Sequence, residues 1–120
     1  MNNIRVKAAA IIAAVVLLLD ITAAVTTCRI ADDVIAETEK LRSAPRDAKA
    51  LEQFSEEWEK YEKILSCYIR HSEIEDIGNP IKMLKTYSDD EQLFKEGCSK
   101  IIVSAEHIRS AELPYIQNIL

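Results

Sequence analysis

Glycine and proline are scarce in this 120-residue chain, at two and three residues. So few turn formers exclude a turn-rich β-sandwich or barrel, and Gly78 and Gly97 alone cannot build a glycine-rich phosphate loop. Histidine is nearly missing as well. His71 and His107 stand in no HExxH or ExxH pattern, so helical metal ligation has no local signature. Basic residues are outnumbered, fifteen against twenty acidic ones, for a net charge of −5. An acidic surface repels phosphates, which argues against a nucleic-acid partner.

Charge is also unevenly spread. Residues 1–28 carry only Arg5, Lys7 and Asp20, and removing these leaves 13 basic and 19 acidic residues in 29–120, a net of −6. The chain thus divides into an apolar leader, 1–28, and an acidic domain, 29–120. Ala8 to Leu19 is uninterrupted apolar sequence, and only Asp20 and some threonines break the stretch to Thr27. Twenty helical residues rise about 30 Å, the thickness of a bilayer's hydrocarbon core. Arg5 and Lys7 precede the run, and Asp32 and Asp33 follow it. The positive-inside bias predicts a single-pass protein of the cell membrane, with its N-terminus in the cytoplasm and residues 29–120 outside.

Asp20 is the exception within this leader, since a carboxylate at the bilayer centre costs about 2.5–3.5 kcal/mol. It reads either as a tolerated group near the outer interface or as a contact for a partner helix in the membrane. Two processing routes compete with an uncleaved anchor. One is a secretory signal cleaved after small residues such as Ala23 and Ala24. The other is lipidation at Cys28, although Thr27 is bulkier than the residue such processing favours. No turn former precedes either site, so the expected helix runs on through Arg29.

Beyond the leader, the pattern is helical throughout. Ile30, Val34 and Leu41 form one apolar stripe, and Ser43-Ala44-Pro45 reads as a break. Leu51, Phe54, Trp58, Tyr61, Leu65 and Tyr68 then recur at intervals of 3, 4, 3, 4 and 3, a heptad seam holding most of the aromatic residues. Such a stripe is core or, in the functional reading, an interaction seam of Phe54, Trp58, Tyr61 and Tyr68. Ser72 with Glu75 has the form of a capping box, and Gly78-Asn79-Pro80 predicts a break or restart with Asn79 as cap. Ser88 with Glu91 is a second capping box. Phe94, Cys98, Ile101, Ala105 and Ile108 line a last helix, for which Leu113-Pro114 predicts the stop. The expected fold is all-α: an N-terminal transmembrane helix extending into a small antiparallel bundle of three to four helices.

Chemistry is hard to find. His71, Glu73, Glu75 and Asp76 cluster at a helix junction, but capping and dipole complementation explain the acids more simply than a cation does. No Ser/His/Asp or Cys/His pairing has informative spacing, so no catalytic residue, cofactor or metal is expected, and the chain reads as a non-enzyme. Three cysteines are an odd number for an exported domain. Counting helical rise places Cys67 and Cys98 at similar heights, which allows a disulfide, although Cys67 sits one position off the seam; the competing reading is two small buried thiols.

The apolar N-terminal helix, the long helix containing Trp58, the run His71-Ser72-Glu73-Ile74-Glu75-Asp76-Ile77, and the closing Glu112 with Asn118-Ile119-Leu120 carry a family likeness. In these short motifs, spread over nearly the whole chain, the sequence resembles an uncharacterised bacterial family, domain of unknown function 4363. The resemblance implies a single-pass membrane protein with an all-helical outer domain, an uncleaved anchor and an ordered C-terminal tail. It implies no activity. The expected role is therefore a membrane-anchored structural or protein-interaction module, contacting another membrane protein or a copy of itself. The alternative is an exported module that holds a small ligand or cation between helices.

Overall fold

The computed structural model describes the backbone of residues 2–44 and 47–119 and the side chains of 3–44 and 47–112. Helix α1 spans Asn2–Ser43, α2 Ala48–Leu65, α3 His71–Thr86 and α4 Glu91–Ile119. Among the described residues there is no strand. The all-α expectation holds.

Helix α1 is long because nothing in 2–43 stops it: the segment has no Gly or Pro and is rich in Ala, Leu, Ile and Val. It passes through Cys28 without a break. Its end is closed by the Ala44 N–H, which donates to the Lys40 and Leu41 carbonyls. Asp47 caps α2, its side chain accepting from the Ala50 N–H at 3.0 Å. Asp90 does the same for α4, accepting from the Leu93 N–H at 3.1 Å. Ser88 lies two residues too early for the expected capping box, and Asp90 takes its place.

All four neighbouring pairs, α1–α2, α2–α3, α3–α4 and α1–α4, are in contact, which closes the bundle into a ring. Cross-helix contacts fix the directions. Tyr61 of α2 reaches Asp33 of α1, Trp58 lies against Gly78 of α3, and Leu84 of α3 lies against Gly97 of α4. Arg109 of α4 bonds Asp32 of α1. Each helix is antiparallel to both neighbours. The α1–α4 contact is the most extensive, and small buried residues on α1, namely Ala24, Thr27, Cys28 and Ala31, let α4 approach closely. The core then fills with Val34, Leu41, Phe54, Trp58, Ile74, Ile77, Leu84, Phe94, Ile101 and Ile108. Buried Thr38 satisfies its hydroxyl by donating to the Val34 carbonyl at 2.6 Å.

Three expected helix ends are not where the sequence places them. Ser72 is no cap: α3 starts at His71, and Arg70 at its N-cap makes no side-chain bond. Gly78-Asn79-Pro80 does not interrupt α3, which carries Pro80 in its interior. An interior proline costs about 3 kcal/mol, whereas burying Ile74, Ile77, Ile81 and Leu84 gains roughly 1.5–3 kcal/mol each. Packing wins. Leu113-Pro114 likewise fails to stop α4, which continues to Ile119. Proline's φ suits a helix, and the loss there is one i→i−4 bond.

Candidate functional site

Among the described residues no group of three or more His, Cys, Asp or Glu is placed to hold a metal ion. A cleft of about 730 Å³ between α1 and α2 is open to solvent; its lining includes Asp33, Glu37, Glu57, Lys40 and Lys60. The feature that stands out is the first half of α1. Residues 3–20 are all exposed, with Leu18 at 64% and Leu19 at 63%, and full burial begins only at Ala24, at 2%. The molecule measures 70 × 23 × 21 Å, so this stem accounts for much of its length.

An 18-residue window of α1 has a mean hydropathy of 2.5 and is only 6% buried. By length and composition α1 is able to cross a membrane. A core helix of a soluble protein would be mostly covered; this window is bare, while the second half of α1 is core. A signal sequence satisfies the same criteria.

Where the stem enters the bundle, polar contacts tie α1 to its neighbours. Arg109 Nε lies 2.9 Å from Asp32 Oδ1, and the Tyr61 hydroxyl donates to Asp33 Oδ2 at 3.2 Å. Burial foremost, then the carboxylates of Glu57 and Asp33, pushes the Tyr61 phenol well above its usual range. On the adjoining side Glu112 of α4 is half-buried near Glu73 of α3. Burial first, and the Glu73 charge second, raise its carboxyl above the ordinary value. His71 pairs with Glu75 within α3, at 2.8 Å. Sequence spacing gave no hint of the Asp32–Arg109 or Asp33–Tyr61 pairs, because both cross between helices far apart in the chain.

The residues singled out in the sequence are scattered rather than gathered. Asp20 is exposed on the stem, one turn before Ala24, and has no hydrogen-bond or ion-pair partner among the described residues. The aromatic seam divides. Phe54 and Trp58 are buried at 5% and 4%, so they are core and cannot be an interaction surface of the folded chain. Tyr61 is half-buried, and Tyr68, 45% exposed, lies beyond the end of α2. The seam ends at Leu65 because the chain turns there to let α3 pack back on Trp58. The Cys67–Cys98 disulfide is not formed; both thiols are free. Cys67 is exposed in the α2–α3 turn, while Cys98 is wholly buried near the opposite end of the bundle. The rise count misplaced them because α3 is longer than expected and α4 starts later.

The family model described as Domain of unknown function (DUF4363) matches residues 29–119. The chain belongs to this family. No curated protein and no solved structure matches it. For this member of the family, the match covers the whole bundle and leaves out the stem.

Proposed function

We propose that this protein is a membrane-anchored, non-enzymatic interaction module. Residues of about 8–27 cross the bilayer once and stay attached, Arg5 and Lys7 hold the N-terminus in the cytoplasm, and the bundle of 29–120 stands outside. The observation that carries this reading is the bare stem: eighteen consecutive exposed positions, fourteen of them apolar, that the chain itself leaves uncovered. In water such a surface is far larger than monomeric proteins tolerate.

The partner is another membrane protein or a second copy of this chain. Phe54 and Trp58 are spent on the core, so the contact falls on the stem, where Asp20 supplies a polar group that a partner helix would satisfy. Crosslinking in intact membranes, followed by recovery of the tagged chain, tests this. A reproducible partner or self-crosslink that Asp20→Leu abolishes is expected. Recovery of the uncrosslinked chain alone, with a monomer by sedimentation in detergent, contradicts it.

A further inference from the structure

The bundle has two ends, and the antiparallel register identifies the one that faces the stem. The Asp33–Tyr61 bond sets α2 against α1; counting on from it, the α2–α3 turn, Ser66–Arg70, comes level with roughly residues 26–29 of α1. A span of residues 8–27 ends at that level. Helix α4 arrives there too. The Asp32–Arg109 pair and the contact of Cys28 Sγ with the Arg109 carbonyl, at 3.9 Å, set its register. Its ten further residues to Ile119 carry the backbone about 15 Å along the stem, to the level of Leu18–Thr22.

The exposed groups at this end suit a membrane surface. Tyr68 and Ile64 are 45% and 42% exposed although both are large and apolar. Arg29, Lys63 and Arg70 are exposed around them. Of the acids at this end, Asp32 pairs with Arg109 and Glu75 lies against His71; Glu73, whose N–H donates to the Arg70 carbonyl, is near Glu112, and Glu62 and Asp76 add negative charge beside the cations. Tyrosine rings with arginine and lysine beside them are the residues of the headgroup layer, where a ring meets acyl chains and cations meet phosphates.

We propose that this end of the bundle is a lipid-contact surface: the α2–α3 turn, with Tyr68 and Arg70, rests on the phospholipid headgroups of the outer leaflet, and the last turns of α4 continue past that level beside the stem. The domain is docked on the membrane rather than carried free on a stalk. This rests on the anchor reading, and it adds a defined orientation.

Cys67 provides the probe, since it is exposed in the turn while Cys28 and Cys98 are buried. The full chain is reconstituted in phosphatidylcholine–phosphatidylglycerol vesicles with an environment-sensitive fluorophore on Cys67. The reference is the same label at the far end of the bundle, in Cys67→Ser/Ser88→Cys. The expected result is blue-shifted emission at Cys67, several-fold stronger quenching by headgroup spin-labelled lipid and several-fold weaker quenching by iodide than at Ser88→Cys. Equal iodide quenching at both positions overturns the proposal. So does shielding of Cys67 from both quenchers, the signature of a protein covering the turn. A chain that fails to float with the vesicles overturns the anchor reading itself, and flotation is scored separately.

Discussion

Gly78 of α3 lies directly under the indole of Trp58: a Cβ built on it would stand 3.2 Å from Nε1. This close approach lets α2 and α3 bury the only tryptophan, and it explains a glycine in mid-helix that costs about 1 kcal/mol in propensity. Gly78→Ala should fall within about 1 kcal/mol of the natural protein, since gained propensity offsets the nudge to the ring. Gly78→Leu has no room and should destabilise by about 1–3 kcal/mol. Urea unfolding followed by tryptophan fluorescence measures both, and a Leu variant as stable as the Ala variant would show that the helices do not pack this tightly.

The thiols should separate by burial. Cys98 is pushed up to about 11, chiefly by burial, with Arg42 opposing. Thiolate is the reactive form, so Cys98 stays inert near neutral pH. With Cys28 also buried, a disulfide-exchange reagent should titrate one fast thiol in the native protein, absent from Cys67→Ser, and three after denaturation. Two fast native thiols would contradict the packing of α4.

Glu112 makes stability depend on pH. Its raised carboxyl means that the folded chain holds this proton more tightly than the unfolded chain. Its contribution is therefore present below the unfolded value, about 4.3, and is lost as pH rises through the higher folded value. Glu112→Gln should raise the melting temperature at pH 7, and the gain should fade below about pH 4. A gain that persists in acid would assign the effect to something other than this titration.

Tyr61 is held protonated by burial and by Glu57 and Asp33. An alkaline absorbance titration should show one phenol that ionises only as the bundle unfolds, and Tyr61→Phe should remove that phase. The exposed bond to Asp33 itself contributes little, so Tyr61→Phe should cost no more than about 1 kcal/mol. A Tyr61→Phe titration identical to that of the natural protein would show that another phenol is the late one.

The helices were legible in the sequence wherever an apolar stripe kept its period, as at Leu51–Leu65 and Phe94–Ile108. Their ends were less so. Gly78-Asn79-Pro80 and Leu113-Pro114 carry local stop signals, yet α3 and α4 run through them; in α3 an apolar stripe buried on both sides of Pro80 outweighs one missing bond. The heptad spacing reached Tyr68 only because period says nothing of where a chain turns. The cysteine pairing failed for a related reason: an error of a few residues in a helix end becomes several ångströms of height. The stem's apolar composition was plain from the sequence; that its surface is bare, and which end of the bundle faces it, needed the packing.

The central claim is an uncleaved anchor with the bundle outside. The most direct test labels Cys67→Ser/Ser88→Cys with a membrane-impermeant maleimide on intact cells expressing it and weighs the labelled chain. The account predicts labelling without lysis, on a chain that retains residues 1–28. Labelling only after lysis, or label on a chain that begins after the stem, would contradict it.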